Sequence, residues 1–366
     1  MFNKYVVISG WYGPNNFGDE AILESIMQQI VSEKQEDKNT KIVVLGVKPS
    51  KTKELFPTVI SCYQFPNDMK QLIRSVITLD LFKTLYFLMR AKTLYLGGGG
   101  FLSDWQSWNI GWMGQLVLAK LTFSKCRLWG VGVGPFNNKY RTRFVSFIFN
   151  NFVDDAYVRD EVSHRCLVSN LRFTKPVRVS VDPVANMDCS RYINNSSTSN
   201  ARDYFIFIPA VYFKNKRFDN GEEQWKELFG NFKKLMAYFE SKKIYLRVLL
   251  FQPDAEKELY KDIQLAIDGF KYVDICYSDD HRQAIQVIDE SKGVISFRLH
   301  GNIIAYALKK SFLPIIYHFK AEEFLKMTNN SENPKIIVGD GVHIRETHTA
   351  WPEWQLQVDN FLSKLI

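Results

Sequence analysis

The sequence predicts an α/β protein of two domains, each built on a parallel sheet covered by helices on both faces. Three observations carry that expectation. The chain has 366 residues, beyond the size at which one hydrophobic core usually stops growing. Short, continuous apolar runs stopped by Gly, Asp or Pro alternate with helix-like stretches, as expected of strands buried on both faces. The alternation breaks once, at "MDCSRYINNSSTSNARD" (187–203), a Ser- and Asn-rich stretch with almost no apolar periodicity. That break is the candidate domain boundary.

In the first half, "YVVISG" (5–10) opens as a strand. Residues 18–34 follow as a helix, with Ile22, Ile26 and Ile30 at four-residue spacing and Leu23 and Met27 beside them. Residues 41–47, 93–100, 127–135, 155–160 and 177–183 are further strands, and 110–123 and 140–152 are helices. In the second half, strands are expected at 204–210, 245–252, 271–277, 293–301 and 312–318. Helices are expected there at 222–242, 254–268, 281–291 and 301–309. The expected organisation is therefore a domain over 1–187, a polar linker at 188–202, a second domain over 203–346 and a C-terminal amphipathic helix at 347–366.

Composition narrows the function classes. Apolar residues at 46% and charged residues at 23% are ordinary for a soluble globular protein. The five cysteines are widely scattered, odd in number and without a Cys-x-x-Cys pair. That pattern fits a reduced, cytoplasmic protein rather than a disulfide framework. The N-terminal apolar run is too short for a signal peptide. Residues 72–96 are the most membrane-like, but Arg74, Asp80, Lys83, Arg90 and Lys92 interrupt them, so they supply no span of about 20 apolar residues. The net charge of +8 is uneven: residues 1–187 hold 23 Lys and Arg against 15 Asp and Glu, whereas 188–366 hold 24 of each. The excess serves solubility or an anionic partner, either an acidic bilayer at the inner face of the plasma membrane or a phosphate-bearing substrate. No nucleic-acid partner is expected, because the sequence has no long Lys/Arg run and no recognition motif of that kind.

Two parallel-sheet domains joined by one linker are expected to face a cleft, and in such sheets ligands lie beyond the C-terminal ends of the strands. Polar groups that end apolar strands are therefore the candidates. "SGWYGPNNFGDEAIL" (9–23) is a turn into a helix whose glycines, Gly10, Gly13 and Gly18, do not follow G-x-G-x-x-G. Its free backbone N–H groups suit an anion, and Asp19 fits a first-turn acid and a functional carboxylate equally well. "LGGGGFLSD" (96–104) carries Gly97, Gly98, Gly99 and Gly100 in a row. So many glycines point to close approach of a ligand or to positive φ. The glycines of "WGVGVGPF" (129–136) fit helix packing as well as ligand contact. In "YVRDEVSHRC" (157–166), Arg159 and Asp160 end a strand, as a functional group or as a surface ion pair. In "ISFRLHGN" (295–302), Arg298 and His300 alternate with Phe297 and Leu299, so both would share one face of the strand's last residues. Gly301 would then release the chain into a helix pointing back at them. Arginine, imidazole and helix N-terminus together make an anion site with a proton donor.

In order and spacing, "GWYGPNNFGDEAIL", "LGGGGFLSD", "YVRDEVS", "VSVDP" and "SFRLHGNIIAYAL" resemble the motifs of the polysaccharide pyruvyl transferase family. The resemblance spans about residues 5–320. It implies two Rossmann-like domains in a GT-B-like arrangement. It also implies transfer of the enolpyruvyl unit of phosphoenolpyruvate to two sugar hydroxyls, giving a cyclic pyruvate ketal and phosphate. The family's Arg-Leu-His and Arg-Asp motifs match Arg298, Leu299 and His300, and Arg159, which are thereby expected to bind phosphoenolpyruvate. Gly10, Gly13, Asn16, Gly18, Gly98, Gly99, Gly100 and Asp182 are expected to line the cleft, with the basic first domain on the acceptor side.

Phosphoenolpyruvate carries about three negative charges, which suit bidentate guanidinium bonds. His300 is the expected acid for protonating its methylene carbon, and either Asp19 or Asp160 the acceptor of a hydroxyl proton. The acceptor is expected to be a lipid- or nucleotide-linked saccharide of a cell-envelope or exopolysaccharide precursor. No cofactor is expected beyond phosphoenolpyruvate as co-substrate, and no metal; "DDH" (279–281) and "HIRETH" (343–348) are weak metal candidates. The alternative is a GT-B nucleotide-sugar glycosyltransferase, disfavoured because no two glutamates stand eight residues apart in the second half as in many retaining members. A non-enzymatic sugar-binding module leaves the arginines and histidine without a purpose.

Overall fold

Val6, Val7 and Ile8 are wholly buried, as both faces of a central parallel strand require. The computed structural model describes residues 4–14, 16–32, 41–103, 110–193, 203–211, 221–251, 256–278, 280–339 and 350–365. Contacts divide the chain into two units, Met1–Met187 and Asp188–Ile366.

The first unit runs β1 (Tyr5–Ser9), α1 (Phe17–Ser32), β2 (Lys41–Gly46), α2 (Pro49–Leu55), β3 (Ile60–Tyr63), α3 (Met69–Ile77), α4 (Asp80–Leu88) and β4 (Ala91–Gly97). It continues with α5 (Gly111–Leu121), β5 (Lys125–Val131), α6 (Lys139–Phe152), β6 (Asp155–Val158), α7 (Glu161–Arg165) and β7 (Val177–Val179). Its seven strands lie in the order β3-β2-β1-β4-β5-β6-β7, all parallel. Strand order reverses between β1 and β4, the switch point at which such sheets open beyond the strand ends. The core under α4 to α6 includes Leu94, Leu116, Leu128, Val145 and Phe149.

The second unit runs β8 (Tyr204–Ile208), α8 (Gly221–Lys242), β9 (Tyr245–Leu250), α9 (Lys257–Ala266), β10 (Val273–Tyr277), α10 (His281–Asp289) and β11 (Gly293–Ser296). Then come α11 (Leu299–Ala307), β12 (Ser311–Ile316), α12 (Phe319–Met327), β13 (Ile336–Ile337) and α13 (Trp351–Leu362). The order β10-β9-β8-β11-β12-β13 is again parallel, with its switch point between β8 and β11. Aromatic rings fill this core: Phe207 meets Phe232, which meets Phe297 and Trp354.

The strands are shorter than the apolar runs that announce them. The run at 127–135 forms a strand only to Val131, because Gly130 takes φ +64° and shifts the register there. The run at 293–301 stops at Ser296, and the helix begins at Leu299 rather than Gly301. The serine side chain explains this. Ser296 Oγ donates to the Arg298 carbonyl at 2.8 Å and accepts from the Arg298 N–H at 3.1 Å, closing a turn two residues early. The described part of the expected linker, residues 188–193, contains a 3-10 turn at Cys189–Tyr192 that packs on α10; residues 194–202 lie outside the described residues. Among the described residues, no helix is long and apolar enough to cross a membrane.

Candidate functional site

In the first unit, the groups that follow β1, β4, β5 and β6 form one connected cluster on four adjacent strands. The turn after β1 is pinned from three directions. Tyr12 folds back so that its hydroxyl donates to the Gly97 carbonyl at 2.6 Å, and its own carbonyl accepts from Val47 N–H at 2.8 Å. Gln64 donates to the Gly10 carbonyl. The Gly13 N–H donates to Glu20 Oε1 at 2.6 Å. Glu20 is 2% exposed. Burial raises its carboxyl to about 8, the Gly13 N–H acts the other way, and the Asp19 carboxylate adds to the rise. Burial, then Asp19 and Glu20, likewise push the Tyr12 hydroxyl well above its ordinary range.

Asp19 is buried in the first turn of α1 and accepts from the Asn16 amide. A Cβ on Gly99 would stand 3.0 Å from Asp19 Oδ1, so the carboxylate lies directly against the glycine run. Gly98 and Gly99 take φ +79° and +72°, a region closed to most side chains. A Cβ on Gly98 would also meet Ile22 Cγ2 at 2.4 Å. The Gly99 carbonyl accepts from Gly132 N–H at 2.9 Å, and a Cβ on Gly132 would stand 3.2 Å from Arg159 Nε and Nη2. Asp19, the glycine run and Arg159 are thus linked through three successive contacts.

Arg159 is not part of a surface pair. It is 8% exposed, with Nη1 3.1 Å from Asp182 Oδ2 and Nε 3.8 Å from Asp160 Oδ2. Both carboxylates also hold backbone: Asp160 caps α7 through Ser163 N–H at 2.6 Å, and Asp182 accepts from Val184 N–H at 3.1 Å. A buried arginine matched by two carboxylates has little positive charge to spare, and Asp19 makes the cluster acidic.

In the second unit, Arg298 and His300 start α11 immediately beyond β11, at the switch point of the sheet. They do not share a strand face, since the strand has already ended; Arg298 is the N-cap residue and His300 lies in the first turn. Both are half-buried, as is Leu299 between them. Arg298 Nη2 pairs with Glu256 Oε1, whose other oxygen accepts from Phe251 N–H at 2.8 Å. Glu256 is 1% exposed, so a buried carboxylate fixes the guanidinium while 21% of the arginine side chain stays open. Asn302 donates to the Ser296 and Arg298 carbonyls. A Cβ on Gly301 would collide with Ser296 Oγ at 2.4 Å, so only glycine lets the helix start this close to the strand end.

The sequence reading missed Tyr12, Glu20 and Glu256. Glu20 looks like any first-turn acid and Glu256 like a helix-surface residue; nothing local marks their burial. Gly10 and Gly13 lie in the pinned turn, Gly18 is buried in the first turn of α1 and Gly100 is exposed. Of the metal candidates, Asp279 and residues 343–348 lie outside the described residues.

Two parallel-sheet units, each with polar groups at its switch point, define a GT-B-like protein. Solved structures share that fold. A Listeria monocytogenes protein assigned as a UDP-N-acetylglucosamine 2-epimerase matches at TM-score 0.62 and 9% identity, covering 99% of this chain and 88% of that one. MnaA of S. aureus in complex with UDP matches at 0.62 and 11%, covering 99% and 89%. A glycosyltransferase from Rickettsia africae matches at 0.57 and 12%, covering 100% and 89%. None of the curated proteins matches the sequence. The model of one family, described as polysaccharide pyruvyl transferase, matches residues 16–318. The chain belongs to the polysaccharide pyruvyl transferase family.

Proposed function

We propose that this transferase moves pyruvate from phosphoenolpyruvate to two hydroxyls of one saccharide in polysaccharide biosynthesis. The observation that carries the reading is the start of α11: an arginine oriented by a buried glutamate, a histidine in the first turn of the helix and the helix N-terminus itself. Such a group suits a small anion with two kinds of oxyanion. Arg298 would take the carboxylate or phosphate as a bidentate pair.

The atoms balance without a further reagent. His300 delivers a proton to the methylene carbon, which becomes the methyl group. One hydroxyl oxygen bonds to the central carbon, the carbon–oxygen bond to phosphate breaks, and the second hydroxyl oxygen closes the ketal. Of the two hydroxyl protons, one restores His300 and the other leaves on phosphate. A carboxylate facing the central carbon would stabilise its oxocarbenium character. Asp19, Asp160 and Asp182 suit neutral sugar hydroxyls and their protons better than a trianion, and Arg159 then acts mainly by orienting Asp160 and Asp182. Asp19, which accepts from the Asn16 amide, is the preferred group to take a hydroxyl proton and pass it on to phosphate. The acceptor would be lipid- or nucleotide-linked, and no cofactor is required.

The test is incubation with phosphoenolpyruvate or a nucleotide-sugar and a panel of lipid- and nucleotide-linked saccharides. Phosphate release with an acid-labile mass gain on the sugar is expected. Nucleoside diphosphate release from the nucleotide-sugar would identify a glycosyltransferase and overturn the reading.

A further inference from the structure

We infer that the outer face of the helical layer α3, α4 and α6 docks this protein on an acidic lipid bilayer. The inference goes beyond the transfer reaction and does not depend on it. Helix α3 has apolar residues at the spacing of one helical stripe, and such a stripe normally faces a core. Here no residue of α3 is buried. Met69, Ile73 and Ile77 are 68%, 54% and 75% exposed. The stripe continues around the hairpin. Leu79 sits at its tip with φ 61°, a conformation better suited to Gly or Asn than to leucine, and Phe82 and Tyr86 extend the exposed row along α4.

Helices α4, α5 and α6 pack side by side, and α6 repeats the pattern. Tyr140, Phe144 and Phe147 recur at helical spacing with 81%, 42% and 59% exposure. Large apolar patches of this kind mark an interaction surface.

Charge selects the occupant. Residues 67–92 hold five Lys and Arg against two Asp, and 137–152 hold three Lys and Arg with no acid. Basic residues interleaved with exposed aliphatic and aromatic side chains match an interface of anionic headgroups over acyl chains. A second copy of the same face would bring Lys70, Arg74, Lys139 and Arg143 against one another, a like-charge juxtaposition. The face is also coupled to the strand ends: a cavity of about 280 Å³ opens between α3 and the turn after β1, lined by Trp11, Tyr63, Phe65, Arg74 and Thr78. Docking would therefore hold the turn that carries Trp11 close to the headgroup plane.

The test is flotation of the full chain with vesicles of phosphatidylcholine alone or mixed with phosphatidylglycerol. Binding is expected only with the acidic lipid, and salt should weaken it, since surface charge is screened. Either Ile73→Glu with Ile77→Glu or Lys139→Glu with Arg143→Glu should weaken binding about tenfold or more, at roughly 1 kcal/mol per charge near the surface. Leu265→Glu with Leu356→Glu, on exposed positions of the second unit, should leave it unchanged. Each variant should keep the wild-type melting temperature, because the altered positions are exposed. Equal binding to neutral vesicles, no binding to either, or a dimer in sedimentation that the first two variants dissociate would each overturn the inference.

Discussion

Glu20→Gln should stabilise the protein at neutral pH and leave it nearly unchanged in acid. The carboxyl is buried, so its charged form is penalised and its value rises from 4.5 to about 8. The folded state therefore holds a proton that the unfolded chain gives up at ordinary acidity. Below the unfolded value both states are protonated and Glu20 contributes nothing. As pH rises from about 4.5 toward 8, the unfolded state loses its proton first and stability falls. At pH 7, which lies 2.5 above the unfolded value of 4.5 and still below the folded value of about 8, the stability lost amounts to roughly 3 kcal/mol. Glutamine removes the ionisation while its carbonyl can still accept the Gly13 N–H, so the variant should lack this part of the pH dependence. The assay is urea unfolding followed by tryptophan fluorescence at a series of pH values. A stability gain that appears between pH 5 and pH 8 is expected. A difference that stays constant over that interval would refute the argument from burial.

Arg298→Ala should weaken phosphoenolpyruvate binding at least tenfold in calorimetry, since a charged hydrogen bond contributes about 1.5–3 kcal/mol; unchanged affinity would remove Arg298 from the site. Asp182→Asn leaves Arg159 buried with its nearest remaining carboxylate at 3.8 Å, and should cost about 3 kcal/mol in denaturant unfolding; an unmoved midpoint would show that the pair is neutral to stability. Gly98→Ala combines φ +79° with a contact at 2.4 Å and should destabilise by about 2 kcal/mol or more. Gly230→Ala in α8, where a Cβ meets nothing within 4 Å, should stabilise by up to about 1 kcal/mol. The opposite order of the two melting temperatures would refute the glycine argument.

Much of the architecture was legible because parallel strands buried on both faces must be continuous apolar runs. Val6–Ile8, Val43–Leu45 and Val294–Ile295 announce themselves that way. Helices α3 and α4 were harder to place: both face solvent with an apolar stripe, so core-directed periodicity did not apply. The end of β11 was misplaced because a single serine side chain, Ser296, closes a turn that hydrophobicity cannot register.

The sequence by itself determined the two α/β units with their parallel sheets and the polar residues that follow the apolar runs. Each of these follows from local periodicity and from where glycine and polar residues interrupt it. Only the tertiary structure decided that Arg298 pairs with Glu256, that Arg159 is buried with Asp182, and that Glu20 holds its proton at neutral pH. Those properties depend on which distant segments become neighbours and how much water they exclude. Charge pairing and desolvation act across space, and no spacing along the chain encodes them.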